Sequence, residues 1–507
     1  MKKLSKPIYL LVILALVFGI LGSATAQAPA VTRAHPALIA IAASEPGQMV
    51  RVIVQKSAAA GRTEQLAEAL GGKITKDLSI IKAFAVDLPA AAALKLSASP
   101  GVRWVSLDAP VERSGQGTVD PLAYTTNYYL DTLGVKKVWA LKVKGNPVNG
   151  KGVGVAIIDS GVSADKDITR AFQYGFSANS HTVNDVYGHG THVAGIVAST
   201  GVDSAGAYKG VAPGVTLISL KVSDESGMAY ESDVVAALQW VYDNKNQHNL
   251  RVVNISLNST IEQSYHTSPL DAAVEILWFN GVVVVVSVGN KGAGTYNTAN
   301  ASPANDPFVI TVGATDEKAS TRRTDDVVAS FTARGKTSDG FNKPDILAPG
   351  TNIISVLSKT SPWGAQYPER VVLNGEYFTL SGTSMAAPMV AGTVALLLQD
   401  EPGLTPDQVK YRLLSTASNL AEASTNANYK YLNAYSAVTG TSKQSANTGL
   451  TASQLLWSGS EPITWGSVAW NSVSWSSVAW NSVSWNSLAW NSVSWEAVSW
   501  NGGGKRK

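Results

Sequence analysis

Residues 282–290 read VVVVVSVGN, a run of valines that ends in a glycine and an asparagine. Such a run is apolar on both faces of an extended strand, which favours a strand buried between two layers. Further runs of this kind alternate with helical patterns between residues 120 and 438: AIIDS (156–160), TLISLKV (216–222), VVNISL (252–257) and FVITVGA (308–314). This alternation predicts an α/β fold of three layers, a parallel sheet with helices on each side.

The composition fits a large globular protein with accessory segments. The chain has 507 residues, of which 45% are hydrophobic and 15% are charged. Its formal net charge of +3 is small for this length, and the lysines and arginines are dispersed, which argues against a nucleic-acid partner. The chain has no cysteine, so its stability must come from its core or from bound ions rather than from disulfides.

The first 26 residues have the pattern of a secretory signal peptide. Three lysines precede an apolar run that ends at Leu21, and Ala24-Thr25-Ala26 forms a cleavage site of the A-x-A type. The strongly apolar run is shorter than the ~20 residues that span a bilayer, which disfavours a membrane anchor. We therefore predict a signal peptide at residues 1–26 and an exported protein, extracellular or at the cell surface.

Residues 27–113 predict a small domain of their own. The strand MVRVIVQ (49–55) is followed by a helix that ends at Gly71-Gly72 and by the strand-like stretch SIIKAFAVDLP (79–89). An alanine-rich helix and the strand RWVSLD (103–108) complete the unit. This order predicts a ferredoxin-like βαββαβ arrangement.

Ser384 lies in GTSMAAP (382–388), between small residues that leave its hydroxyl uncrowded. The stretch from 384 to 400 predicts a helix with Ser384 in its first turn and with Pro388 among the opening N–H groups, where proline costs least. A helix N-terminus stabilises developing negative charge, which suits a nucleophile. On its own, however, such a stretch is more often a buried, capped helix start.

A nucleophilic serine needs a base, and the base needs a carboxylate that orients it. His189 and His192 lie in DVYGHGTHVAGIVAS (185–199), where glycines flank His189. A zinc site is excluded there because the histidines are three residues apart and the glutamate of an HEXXH motif is missing. Asp159, in VGVAIIDSGV (153–162), ends an apolar strand, which is where parallel sheets carry their sites. An aspartate at a strand exit is also common in ordinary turns.

Together, VAIIDSGV (155–162), GHGTHVAGI (188–196) and GTSMAAPMVAG (382–392) resemble the three active-site motifs of the subtilisin-like serine proteases, the subtilases. They also follow that family's order of Asp, His and Ser, whereas an α/β-hydrolase has the order Ser, Asp, His and a GXSXG motif. The resemblance implies a subtilisin-like catalytic domain at residues 114–438. The unit at 27–113 resembles the inhibitor-like propeptides of such enzymes.

The resemblance implies a secreted serine endopeptidase that is made as a self-processed precursor. Asp159 would orient His189, His189 would remove the proton of Ser384, and Ser384 would attack the scissile carbonyl. His192 would be a structural neighbour, and Asn290 would supply the oxyanion hole. The alternative is a catalytically inactive protein of the same fold that serves in binding or adhesion.

The family binds peptides by strand addition, and its propeptide acts as an intramolecular inhibitor. The resemblance places these binding edges at Ser256-Leu257-Asn258 and around Gly227. Asn258 stands where glycine is frequent, which predicts a narrower groove. Ala301 would form the floor of the primary side-chain pocket and leave room for large apolar side chains. Lys291 either disfavours basic residues in that pocket or is simply solvated.

The resemblance implies no cofactor for the chemistry. Many subtilases bind calcium, and Asp167 in SADKDITR (163–170) resembles one such ligand. The stretch STGVDSAGAYKG (199–210) departs from the family pattern, so the metal site is left open.

Residues 439–460 read as a Ser/Thr/Gly linker, and residues 461–507 form a tail in which tryptophan recurs every five residues from Trp465 to Trp500. A flat strand would place successive tryptophans of this repeat on opposite faces, whereas a coil turning every five residues would align them. The repeat is typical of a small β-solenoid, an adhesive or glycan-binding surface, or an aggregation-prone tail, and the partner of the tail stays unknown.

Overall fold

The computed structural model describes residues 33–57, 62–113, 125–292, 299–422, 427–458 and 461–462. The predicted signal peptide and all but the first two residues of the predicted tail lie outside these residues. Within the described part of the chain, no helix combines the length and apolarity needed to cross a bilayer.

The strands are labelled in chain order. They are β1 Met49–Lys56, β2 Lys73–Leu78, β3 Ala83–Pro89, β4 Val102–Leu107, β5 Pro110–Arg113, β6 Lys142–Val143, β7 Asn146–Pro147, β8 Gly154–Asp159, β9 Arg170–Gly175, β10 Thr216–Lys221, β11 Ala229–Tyr230, β12 Leu250–Ile255, β13 Leu257–Ser259, β14 Val283–Ser287, β15 Ile310–Asp316, β16 Val327–Val328, β17 Gly335–Lys336, β18 Asn342–Lys343, β19 Ile346–Pro349, β20 Ile353–Val356, β21 Val371–Val372, β22 Tyr377–Leu380, β23 Ser418–Glu422, β24 Ala427–Tyr431, β25 Trp457–Ser458 and β26 Glu461–Pro462.

The α-helices are labelled in the same way. They are α1 Pro36–Ser44, α2 Arg62–Ala69, α3 Ala90–Ser97, α4 Tyr129–Thr132, α5 Val135–Trp139, α6 His189–Ala198, α7 Glu231–Asn244, α8 Pro269–Phe279, α9 Trp363–Gln366, α10 Thr383–Asp400, α11 Pro406–Thr416 and α12 Ala434–Thr439. Short 3₁₀ turns lie at Ser79–Ile81, Pro368–Arg370 and Leu373–Gly375.

Residues 33–113, here called the N-terminal unit, contain a four-stranded sheet of order β2-β3-β1-β4. From β1 to β4 its elements follow the βαββαβ order that the sequence predicts. Helix α1 was not predicted. It begins after His35, whose ring Nδ1 accepts a hydrogen bond from the Ala37 N–H at 3.2 Å and caps the helix.

A ten-stranded sheet forms the centre of the remaining chain, with the order β23-β24-β19-β15-β14-β12-β8-β10-β9 and β16 paired to β15. All pairs from β9 to β24 along this order are parallel, as predicted, while β16 and β23 pair antiparallel at one side. Strands β8 and β14 are buried along their whole length. Helices α6 and α10 pack together against the sheet, and α7 and α8 form a second packed pair, so the sheet is covered on both faces.

The N-terminal unit lies on α7 and α8 and shares a hydrophobic core with them. Leu78, Ile81 and Trp104 belong to the same buried cluster as the central sheet. Polar contacts flank this apolar area: the Lys76 ammonium lies 2.6 Å from the Asp233 carboxylate. Asp108 accepts hydrogen bonds from the Ser232 N–H at 2.8 Å and its hydroxyl at 2.7 Å, which caps the first turn of α7.

The second half of the predicted linker packs against both parts of the chain. The Ser453 N–H donates to the buried Glu275 carboxylate at 2.8 Å, and the side chains of Leu455 and Leu456 are buried. The Gln55 amide of the N-terminal unit donates to the Leu455 carbonyl at 2.5 Å. Residues 453–456 therefore join the N-terminal unit to the central domain.

Candidate active site

Asp159 and His189 meet at the carboxyl end of the central strand β8. Asp159 is the last residue of β8, and the Ser160 N–H donates to its Oδ1 at 2.7 Å. His189 begins α6, and its Nδ1 lies 2.8 Å and 3.0 Å from the two Asp159 oxygens. Burial alone would raise the pKa of Asp159, but His189 and the guanidinium of Arg113 hold that pKa below its usual value. The carboxylate therefore stays ionised and fixes the imidazole with its Nδ1–H toward Asp159.

Helix α6 is held in place by Asp185, a buried carboxylate that the sequence analysis did not single out. It accepts hydrogen bonds from the Gly188 N–H and from the N–H and hydroxyl of Thr191, each at 2.7 Å. An aspartate a few residues before a helix start is the signal that could have identified it. By capping α6, Asp185 sets the position from which His189 projects.

A glycine, Gly190, follows His189 directly because a side chain at this position would collide with the loop after β8. A Cβ at this position would lie 2.2 Å from the Gly161 carbonyl oxygen and 3.1 Å from the Asp159 Cβ. Only glycine lets the start of α6 approach the loop after β8 closely enough for the Asp159–His189 contact.

Ser384 is the second residue of α10, as predicted, and its side chain is buried. Its hydroxyl donates to the Ser256 carbonyl at 3.2 Å. The Nε2 of His189 has no hydrogen-bond partner among the described residues, so the hydroxyl must turn toward it before a proton can pass.

Pro388 lies deeper in α10 than the sequence analysis predicted. The helix begins at Thr383, so Pro388 is past the N–H groups that lack acceptors. Because proline has no N–H, the carbonyl of Ser384 four residues earlier receives no helical hydrogen bond. The Ser256 hydroxyl donates to that carbonyl at 3.3 Å instead, which ties the backbone of Ser384 to the strand segment beside it.

Asn290 lies beside the start of α10. Its side-chain oxygen accepts hydrogen bonds from the N–H and the hydroxyl of Thr383, both at 3.0 Å. The Thr383 hydroxyl also accepts from the Gly289 N–H at 3.1 Å, and Gly289 has a φ of +101°. These bonds orient the Asn290 amide, with its oxygen toward Thr383 and its NH₂ group on the other side. The sequence analysis did not predict this contact of Thr383.

Three comparisons with known proteins bear on this site. A sequence model described as the subtilase family matches residues 150–434. The chain belongs to the subtilase family. It is 41% identical over 273 residues to the serine protease AprX of Bacillus subtilis, covering 52% of this chain and 61% of AprX. It is 35% identical over 292 residues to subtilisin DY of Bacillus licheniformis, covering 57% of this chain and 92% of that protein.

The subtilase fold is also found in fervidolysin from Fervidobacterium pennivorans, described as a keratinolytic enzyme related to subtilisin. The two structures align with a TM-score of 0.61 at 24% sequence identity, over 78% of this chain and 62% of fervidolysin. The chain thus spans about three fifths of the length of AprX and of fervidolysin. These matches confirm the predicted family and its fold.

His192 is buried in this subtilase one turn after His189. Its Nε2 lies 2.9 Å from the Phe378 carbonyl and 3.2 Å from the Ile353 carbonyl. Burial lowers the pKa of His192 to about 3, so its ring stays neutral and donates to these carbonyls. This arrangement fits the predicted structural role.

The two predicted substrate-binding edges of the subtilase flank β5 of the N-terminal unit. Strand β5 pairs antiparallel with β13, which contains Leu257 and Asn258, and with β11, which follows Gly227. The Asn258 amide donates to the Ser287 carbonyl at 3.0 Å, so its side chain is turned inward and does not prevent this pairing. The predicted narrowing of the groove at Asn258 is therefore not seen at β5.

Ala301 and Lys291 lie near the same groove. Ala301 is buried and forms an isolated antiparallel bridge with Glu262. The Lys291 ammonium lies 3.8 Å from the Glu112 carboxylate of β5, and both side chains are largely exposed. Lys291 thus contacts an acidic side chain of the strand in the groove, an arrangement that the sequence analysis did not predict.

An acidic cluster of the subtilase contains Asp167, the predicted calcium ligand, with Asp165 and Asp203. One carboxylate oxygen from each lies within 4.8 Å of the others. Burial raises the pKa of Asp165, and the neighbouring carboxylates add to this effect. Carboxylate oxygens are the ligands that calcium prefers, so the cluster could hold such an ion.

Proposed function

We propose that this subtilase is a secreted serine endopeptidase that hydrolyses protein or peptide substrates and is made as a self-inhibited precursor. The observation that carries the proposal is the placement of β5 between the two substrate-binding edges, beside Asp159, His189 and Ser384. A segment of the chain's own N-terminal unit thus pairs with the enzyme as a peptide substrate would.

The proposed reaction begins when Nε2 of His189 takes the proton of Ser384 while the Ser384 oxygen attacks the scissile carbonyl. The imidazolium that forms is stabilised by the ionised Asp159, which contacts its Nδ1. His189 then passes the proton to the leaving amine, and water releases the acyl group by the same steps in reverse. No step requires a metal or a cofactor.

The oxyanion formed by this attack needs donors that are already in position. The Ser384 N–H, at the start of α10, provides one, since that helix end favours negative charge. The Asn290 amide provides the second, because the two bonds from Thr383 hold its oxygen away from the oxyanion. Fixed donors of this kind stabilise the transition state more than the bound substrate.

The N-terminal unit acts in this proposal as the intramolecular inhibitor. Strand β5 fills the groove, while the buried core shared with α7 and α8 holds the unit in place after the chain is cut. Contacts from residues 453–456 to Gln55 and Arg103 add a second attachment. A segment attached in this way competes with substrate at a high effective concentration.

A fluorophosphonate probe tests the proposal against the alternative of an inactive binding or adhesion protein. The probe reacts with a serine only where a base and an oxyanion hole activate it. We expect the processed wild-type protein to be labelled at Ser384 and the Ser384→Ala variant to remain unlabelled. Processed, folded wild-type protein that stays unlabelled would favour the binding protein.

The predicted pocket floor at Ala301 leads to an expected substrate preference. A small residue there leaves room for large apolar side chains, so peptides with Phe, Tyr or Leu directly before the scissile bond should be cleaved faster than peptides with Arg or Lys. The measurement is kcat/KM across a matched peptide set. Faster cleavage after basic residues would remove Ala301 from this role.

Raising the pH is expected to weaken the binding of the cleaved N-terminal unit to the catalytic domain. Burial raises the pKa of Glu231, at the interface, to about 8, although a hydrogen bond from Ser259 opposes the shift. Burial likewise raises the pKa of Asp108 to about 6. The pKa of both carboxyls is higher in the complex than in water, so each binds its proton more tightly in the complex. The stability of the complex is therefore greatest below about pH 4 and falls as the pH rises toward 8.

The fraction of the N-terminal unit that remains with the processed enzyme on gel filtration measures this effect. We expect more retention at pH 5 than at pH 8. Glu231→Gln, which cannot ionise, should flatten the dependence above pH 6, while the exposed control Asp131→Asn should not. Equal or greater retention of the wild-type unit at pH 8 would show that these carboxyls do not govern release.

A further inference from the structure

Arg113, the last residue of β5, places its guanidinium in a cleft beside the catalytic pair. Its side chain is only 7% exposed, and its Nε lies 3.4 Å from Asp159 Oδ1. Its Nη1 donates to the Gly227 carbonyl, and its Cζ lies 4.6 Å from the centre of the Tyr187 ring. The guanidinium therefore meets a carboxylate, a carbonyl and an aromatic face, three partners that suit a planar cation.

The walls of this cleft are held in place by residues outside β5. The Tyr187 ring packs edge-on against Trp363 at 5.2 Å, and Trp363 stacks on Phe378 at 5.7 Å. The Ser361 hydroxyl donates to the Tyr187 carbonyl at 2.7 Å, which anchors its backbone. The aromatic wall thus belongs to the catalytic domain, so the cleft is a feature of the enzyme rather than of the N-terminal unit.

The backbone at Gly227 forms the opposite wall of the cleft and lies close to the Arg113 guanidinium and the Tyr187 ring. Its φ is +91°, and a Cβ there would lie 2.7 Å from Arg113 Nη1 and 2.7 Å from the Tyr187 ring. Any side chain at this position would enter the space that the guanidinium occupies. Glycine therefore both allows the backbone conformation and keeps the cleft open for a long, flat side chain.

The strand register relates this cleft to the nucleophile. Arg113 lies opposite Leu257 in the antiparallel pair of β5 and β13. Antiparallel strands run in opposite directions, so a peptide substrate bound with its arginine opposite Leu257 would place its next residue opposite Ser256. The Ser256 carbonyl accepts the hydrogen bond from Ser384 Oγ. A substrate in this register presents to Ser384 the residue that directly follows its arginine.

We propose that the cleft between Tyr187, Gly227 and Asp159 is a subsite that selects arginine at the residue before the one whose carbonyl Ser384 attacks. This inference rests on the proposed function and adds a specificity to it. In the chain itself it assigns self-cleavage to the bond between Ser114 and Gly115.

The position of the guanidinium predicts how the preference divides between KM and kcat. Its contacts with Gly227 and Tyr187 exist in the bound substrate, so they lower KM. The positive charge also shares the Asp159 carboxylate with His189 and opposes the imidazolium that forms during the reaction. Arginine is therefore expected to improve binding without raising kcat, which also suits a segment that must remain bound as an inhibitor.

Two peptides test the subsite with the processed enzyme. They carry phenylalanine directly before the scissile bond and differ only in the preceding residue, arginine in one and its uncharged isostere citrulline in the other. We expect KM to be about tenfold lower for the arginine peptide, and kcat to be equal or lower. A tenfold change matches the combined strength of a partly desolvated cation–π contact and a charge-assisted hydrogen bond. A lysine peptide should lie between them, since an ammonium cannot stack flat on Tyr187.

Tyr187→Leu should reduce the arginine-to-citrulline ratio of KM to about threefold or less, because it removes the cation–π contact. Tyr174→Leu is the matched control, since Tyr174 is an exposed aromatic residue on β9, and it should leave the ratio unchanged. Equal KM values for both peptides in the wild-type enzyme would overturn the subsite while leaving the protease intact. Failure to cleave either peptide would overturn the proposed function and the subsite with it.

Discussion

Ser384→Ala is expected to lower kcat by about 10⁶-fold, a magnitude carried over from subtilisin, the related enzyme in which it is known. The physical reason is that alanine has no atom that can form the acyl-enzyme, so only the oxyanion donors and binding remain. The measurement is kcat on a peptide substrate with protein processed by an added protease. The change should leave the fold intact, because the lost hydroxyl makes one hydrogen bond, to the Ser256 carbonyl.

The exposed Ser415→Ala, on α11, is the matched control and should retain full activity. Thermal unfolding of both variants verifies that they are folded. A Ser384→Ala protein that keeps more than about a thousandth of wild-type kcat would exclude Ser384 as the nucleophile, since residual catalysis without it is far smaller.

Asn290→Ala is expected to lower kcat by about 10²–10³-fold with little change in KM. This range is also the one known for subtilisin. The oxyanion exists only after attack, so a donor to it contributes little to substrate binding. Steady-state kinetics on one peptide separates the two constants. A large rise in KM with kcat intact would remove Asn290 from the oxyanion hole.

Thr383→Val provides a graded companion to this experiment. It removes the hydroxyl that donates to Asn290 but keeps the Thr383 N–H bond to the same oxygen. We therefore expect a fall in kcat that is smaller than for Asn290→Ala and again no change in KM. A fall in kcat as large as that of Asn290→Ala, or a rise in KM, would contradict this positioning role of Thr383.

The sheet and the contact between Asp159 and His189 could be predicted because their determinants are local. Runs such as that at 282–288 are apolar on both faces, which only a doubly covered strand tolerates. Asp159, His189 and Ser384 each stand at an element end with small or glycine neighbours, and the structure brings Asp159 and His189 into contact. The order of these motifs along the chain gave the family, and with it the expectation for Asn290.

Other features depend on residues far apart in sequence and were not predictable. Helix α1 is short and strongly apolar, without the polar face that marks a surface helix. The polar composition of residues 439–460 indicates a linker, yet Gln55 binds the carbonyl of Leu455 from 400 positions away. The Arg113 cleft likewise requires Tyr187 and Gly227 to meet across the groove, which no spacing in the sequence reveals.

The central claim, a serine protease that processes itself, is tested most directly by the intact mass and N-terminal sequence of purified wild-type and Ser384→Ala proteins, prepared without other proteases. We predict that the wild type is cut between about Asp108 and Tyr124, and the proposed subsite assigns the cut to the bond between Ser114 and Gly115. Ser384→Ala should remain a signal-cleaved precursor with its N-terminal unit covalently attached. A Ser384→Ala protein trimmed at the same bond in a protease-free preparation would contradict self-processing through Ser384.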